Sequence, residues 1–131
     1  MLHCVDPWLD QRGRVNPSRL IALRHLNRSS MIDRCTIHRD LSTNVQAALP
    51  AKLDFAFIDG DHSWAGVETD WRIVAPRIMR GSCVCLHDSL TPATEPWRKL
   101  DSQRFFSEVI ALDPGFELVE SVHSLVVLRK R

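Results

Sequence analysis

The chain has 131 residues, 44% hydrophobic and 25% charged, the mix of one ordinary globular domain able to bury roughly two-thirds of its unfolded surface. A formal net charge of +1 excludes broad electrostatic attraction to nucleic acid or to an anionic membrane. No apolar run approaches the ~20 residues of a membrane span, and MLHCVDPW lacks the regions of a signal peptide, so a cytoplasmic location is expected.

Leu2 to Val5 form a short apolar run that Asp6-Pro7 stops, because proline cannot donate to a sheet ladder. A strand ending at Asp6 is predicted, then a polar loop over PWLDQRGRVNPS. Asn16 before Pro17 is an N-cap and first-turn signature, and Leu20, Ile21, Leu23 and Leu26 carry helical spacing to about Asn27. Cys35 to about Asp40 is a second strand. Ser42 or Thr43 is expected to cap a short helix through Val45, Ala48 and Leu49, which Pro50 closes.

Phe55 to Ile58, with Leu53 before Asp54, then form a mostly apolar run without alternation, which suits a strand covered on both faces. Ser63 is the next N-cap. Val67, Trp71, Val74 and Ile78 follow on one helical face, with Pro76 ending the helix before a turn at Gly81. Ser82 to Leu86 is a further apolar strand, and TPATEPW an irregular loop. A helix from about Ser102 to Ala111 places Phe105, Phe106, Val109 and Ile110 inward. Past the Asp113-Pro114-Gly115 turn, Phe116 to Glu120 and Leu125 to Arg129 are two antiparallel strands joined around Ser121 to Ser124. This alternation with a closing hairpin implies an α/β three-layer sandwich in a single domain over residues 1–131.

Two of the predicted strands end in chemistry. Asp59-Gly60-Asp61-His62 follows Ile58, and His87-Asp88-Ser89 follows Leu86. Ligands of open α/β sheets collect outside the carboxyl ends of the strands, so these carboxylates and imidazoles are the foremost site candidates. Each also has a plain reading. Asp59-Gly60 is a common turn pair, Asp6 before proline a turn former, and Asp40 beside Ser42 part of a helix cap. His62 can be a turn residue. His3, His25, His38 and His123 show no ligand spacing with one another. Trp8 and Trp97 lie in predicted loops and serve either packing or a substrate pocket, while Trp71 belongs to the core. Cys4, Cys35, Cys83 and Cys85 form no CxxC pair and read as free thiols in a reducing compartment.

FIDGDHSW at Phe57 to Trp64, continuing through GVETDWRIVAPRIMRGS into VCLHDS, resembles class I S-adenosylmethionine-dependent methyltransferases of the branch whose fourth strand reads FIDGDHSY. VDPW is similar to that family's second strand, and GFELVESVHSLVVLRK to its terminal β-hairpin. The resemblance implies a Rossmann-like, mostly parallel sheet and methyl transfer to a small-molecule oxygen or nitrogen acceptor. It assigns Asp6 to the cofactor ribose, Asp40 to the adenine amino group and Asp59 to the methionine portion. For cation-dependent members it implies an oxygen set of Asp59, Asp61 and Asp88, or Ser89, around Mg2+. His62 or His87 is the expected general base, with Asp59 beside His62 in the catalytic set.

The family's first strand and G-x-G-x-G turn have no counterpart here: none of the five glycines is clustered. The chain is therefore expected to be N-terminally truncated relative to the family, with weak or lost cofactor binding. In the family sheet order 3-2-1-4-5-7-6 the missing strand is central. Either strands two and four pair directly, or a second copy completes the sheet as a homodimer. Two other functions stand beside methyl transfer: a catalytically inactive remnant acting through partners, and a metal-dependent hydrolase.

Overall fold

The structure, a computed structural model, describes residues 1–8 and 16–131, so most of the predicted first loop lies outside the described residues. The chain divides into two compact units, Met1–Leu49 and Pro50–Arg131.

In the first unit, β1 (Leu2–Val5) and β2 (Cys35–His38) pair in parallel from Leu2↔Cys35 to Val5↔His38. Parallel neighbours need a crossover, and α1 (Pro17–Arg28) lies between them in the chain. Asn16 caps α1 as predicted, its side-chain oxygen accepting from the Arg19 N–H at 3.1 Å. Leu23 and Leu26 are half-buried, whereas Leu20 and Ile21 are exposed. The next helix, α2 (Ser42–Val45), departs from expectation. Ser42 is its first residue, Leu41 occupies the cap position, and the Asp40 carboxylate receives the Leu41 N–H instead.

The second unit holds β3 (Leu53–Ile58), α3 (Trp64–Val74), β4 (Ile78–Leu86), α4 (Asp101–Glu108), β5 (Phe116–Val122) and β6 (Leu125–Lys130). Its sheet order is β3-β4-β6-β5, with β3 and β4 parallel and the β4–β6 and β5–β6 pairs antiparallel. Ile58, Val84, Leu86, Val126 and Leu128 meet Val67 and Trp71 of α3 and Phe105 and Phe106 of α4 in one core. Trp71 packs on Phe116 at 4.8 Å between ring centres, and Trp64 stands edge-on to Phe105 at 4.9 Å. Ser63 caps α3, accepting the Gly66 N–H at 3.1 Å.

Several boundaries differ from the sequence reading. After a 3₁₀ turn at Ala75–Arg77, Ile78 enters β4 directly and is buried. Gly81 is therefore not the predicted turn. It lies within β4 at φ +81°, where β4 advances five residues (Ile78 to Cys83) while β3 advances two (Leu53 to Phe55), and a left-handed residue absorbs the excess. Val109 ends α4 at φ −125° and is exposed rather than inward. The hairpin is tighter than expected, with β5 running to Val122 and His123 at φ +55°. Nor is β3 covered on both faces. Ala56 and Ile58 turn to the helices, while Phe55 and Phe57 alternate away and stay 55% and 54% exposed.

The two strand groups, β1-β2 and β3-β4-β6-β5, reproduce the 2-3 and 4-5-7-6 neighbour pairs of the order the resemblance implies. Among the described residues these groups are two sheets, one in each unit.

Candidate functional site

Register creates the cluster at the end of the second unit's parallel pair. Ile58 is opposite Leu86, and the His87 N–H continues the ladder to the Ile58 carbonyl at 3.0 Å. Asp59 and His87 thus leave the sheet side by side, with His87 Nδ1 3.2 Å from Asp59 Oδ1. The Gly60 turn brings His62 back, placing its Nε2 3.5 Å from the same oxygen. Asp59 and both imidazoles are partly open to solvent.

Asp88 closes the cluster from beneath. It is 2% exposed, and its Oδ2 lies 3.6 Å from His62 Nε2 and 3.5 Å from His87 Nδ1. Arg98 donates to that oxygen at 2.6 Å, which keeps the buried charge compensated. The Asp88 backbone is left-handed, φ +51°, and its carbonyl accepts from the buried Ser102 hydroxyl at 2.7 Å. A strained residue pinned by its surroundings at a strand end is a frequent mark of a functional position. Arg98 was not among the residues the sequence singled out. It lies in an irregular segment ten positions from its partner, and no spacing announces the pair.

Asp61 serves another purpose. Its carboxylate accepts from the Ser63 N–H at 3.0 Å and from the Ser63 hydroxyl at 2.7 Å, and these bonds hold its carboxyl below the usual range. The turn it builds presses on α3: a methyl at Gly66 would stand 2.7 Å from the Asp61 carbonyl oxygen. Ser89 is buried, with its hydroxyl 3.4 Å from the His87 carbonyl.

In the first unit, Asp6 and Asp40 follow the carboxyl ends of β1 and β2. Asp6 accepts the Trp8 N–H at 2.7 Å, and Asp40 accepts from Leu41 and from the Asn44 amide at 2.8 and 2.7 Å. The Asn44 bond first, then the Leu41 bond, lowers the Asp40 carboxyl. Both turns use Oδ1, so Oδ2 lies outside them and is chemically suited to a hydroxyl or amino donor. His3 and His38, which no spacing linked, stack across β1 and β2 with Nδ1 and Nε2 3.0 Å apart. All four cysteines are free thiols. Trp97 is 75% exposed and does not pack into the core.

The residues test the implied groups unevenly. Within the first unit, the oxygen acceptors that follow β1 and β2 suit the hydroxyl and amino donors of a nucleoside-bearing cofactor. A hard cation asks for oxygens alone, yet Ser63 engages Asp61, Arg98 engages Asp88, and two imidazoles face Asp59.

The family described as "Methyltransferase domain" matches residues 1–89, which include β1 to β4 and every residue of the cluster. The chain belongs to the methyltransferase-domain family. Solved structures agree on the fold. A Corynebacterium glutamicum protein is similar at 20% identity and a TM-score of 0.72, over 98% of this chain and 60% of that one. An O-methyltransferase from Bacillus cereus in complex with SAH is similar at 16% identity and 0.66, over 98% and 74%. A methyltransferase from Podospora anserina, bound to SAH, gives 14% and 0.62, over 88% and 57%. The domain thus spans about 60% of the length of the first of these. No curated protein matches the sequence. No described helix of the domain is long and apolar enough to cross a membrane.

Proposed function

We propose that the domain takes part in S-adenosylmethionine-dependent methyl transfer to a small-molecule oxygen or nitrogen acceptor. The observation that carries the reading is the meeting of Asp59, His62, His87 and Asp88 at the carboxyl ends of β3 and β4, within a stretch matching the family.

Bound S-adenosylmethionine supplies a methyl group activated by its sulfonium. The residues of this chain supply the rest. Asp6 accepts from the ribose hydroxyls and Asp40 from the adenine amino group, while Asp59 lies toward the methionine portion. An acceptor hydroxyl or amine must lose a proton as its lone pair attacks. His62 Nε2, an imidazole nitrogen beside two carboxylates, takes that proton. Asp59, 3.5 Å away, and the buried Asp88 stabilise the imidazolium that forms.

The test is transfer of label from methyl-labelled S-adenosylmethionine to a panel of phenols, hydroxy acids and amines. Transfer to at least one acceptor is expected, with His62→Ala slowing it about 10²–10⁴-fold. A protein that binds S-adenosylhomocysteine yet labels nothing would return the inactive reading. Undiminished turnover in the variant would remove His62 from the chemistry.

A further inference from the structure

The cluster holds a geometry that hydrogen bonding leaves unused. His62 Nε2 and His87 Nδ1 stand 3.5 and 3.2 Å from Asp59 Oδ1, longer than the ~2.7–2.9 Å of a charge-assisted bond. Both nitrogens are closed to solvent, and neither has a hydrogen-bond partner among the described residues. The three donor atoms lie within 4.8 Å of one another. Bonds of ~2.0–2.2 Å to a tetrahedral ion hold their donors roughly 3.3–3.5 Å apart, close to both distances from Asp59.

Asp88 adds an independent observation. At 2% exposure, its Oδ2 faces both imidazoles, and its Oδ1 has no partner among the described residues. With neutral imidazoles, the two carboxylates of the cluster are met by one guanidinium from outside it, that of Arg98, which leaves a net negative charge.

We propose that Asp59 Oδ1, His62 Nε2 and His87 Nδ1 bind a divalent ion of the zinc class, leaving a fourth position open. Donor chemistry selects the class: imidazole nitrogens suit zinc, cobalt or copper, whereas magnesium and calcium take oxygens. An ion here commits both imidazole lone pairs, so His62 takes a proton only in the metal-free protein. Metal occupancy then sets how the acceptor is activated. The site does not rest on the methyl-transfer reading, because binding is read with no methyl donor present.

The whole chain, stripped with a chelator, is titrated with Co2+ while visible absorption and histidine NMR resonances are followed. A single equivalent is expected to give the d–d bands of a low-coordinate nitrogen and oxygen site. Ring resonances of His62 and His87 should move first, with those of His3 and His38 unmoved. His62→Gln and His87→Gln should each weaken binding by at least about tenfold, and His25→Gln should leave it unchanged. Circular dichroism checks the fold of each variant, and the wild-type NMR result stands even if a variant misfolds. First shifts at His3 and His38, unaltered binding when His62→Gln and His87→Gln are combined, or displacement of Co2+ by about a hundredfold excess of Mg2+ would each overturn the site.

Discussion

Asp40 carries two hydrogen bonds on one exposed carboxylate oxygen, and both favour the charged form. Its folded pKa therefore lies below the unfolded one. The contribution to the start of α2 is present above the unfolded value and is lost as pH falls through the folded value. An NMR titration followed at Asp40 and at the Asn44 side-chain amide should show a midpoint below the ordinary 3.8. A midpoint at or above that value would mean the bonds do not persist in solution. At this scale the sequence was legible where chemistry is local. Asp59, His62 and Asp88 stand out because polar residues abruptly follow apolar strands. Arg98 and the stacked His3–His38 pair did not, since both depend on contacts that only the fold creates.

Helix α3 joins packing to the cluster. Its buried face, Val67 and Trp71, anchors it in the core, and its first turn lies against the Asp61 turn that positions His62. Replacing glycine by alanine in a helix ordinarily gains up to about 1 kcal/mol. At Gly66 the added methyl would meet the Asp61 backbone carbonyl oxygen and the Asp61 Cβ at 2.7 Å, and neither atom can rotate away. Gly66→Ala is therefore predicted to destabilise the domain by about 1–3 kcal/mol. Urea unfolding measures it, and a raised midpoint would show that the turn gives way freely. Capping residues made Asn16 and Ser63 readable as helix starts. The start of β4 was not readable, because a glycine in a bulge has the same sequence signature as a glycine in a turn. Exposure of Phe55 and Phe57 was also hidden, since an apolar run does not say which face is covered.

For the molecule as a whole, alternation and the closing hairpin made the α/β class legible, and the motif from Phe57 to Ser89 made the family so. The strand neighbours follow the order implied by that family, in two sheets. In each unit the acidic residues gather at one end for the same reason: parallel strands share a direction, so Asp6 and Asp40 leave together, as do Asp59 and Asp88. The proposed function has Asp6, Asp40 and Asp59 contact a nucleoside-bearing methyl donor. Titration of the isotopically labelled chain with S-adenosylhomocysteine, followed by amide NMR, tests it most directly. Saturable shifts at Asp6, Asp40 and Asp59 are predicted, with the Asp113–Gly115 turn unmoved. The absence of shifts at millimolar ligand, or shifts that leave all three aspartates untouched, would contradict it.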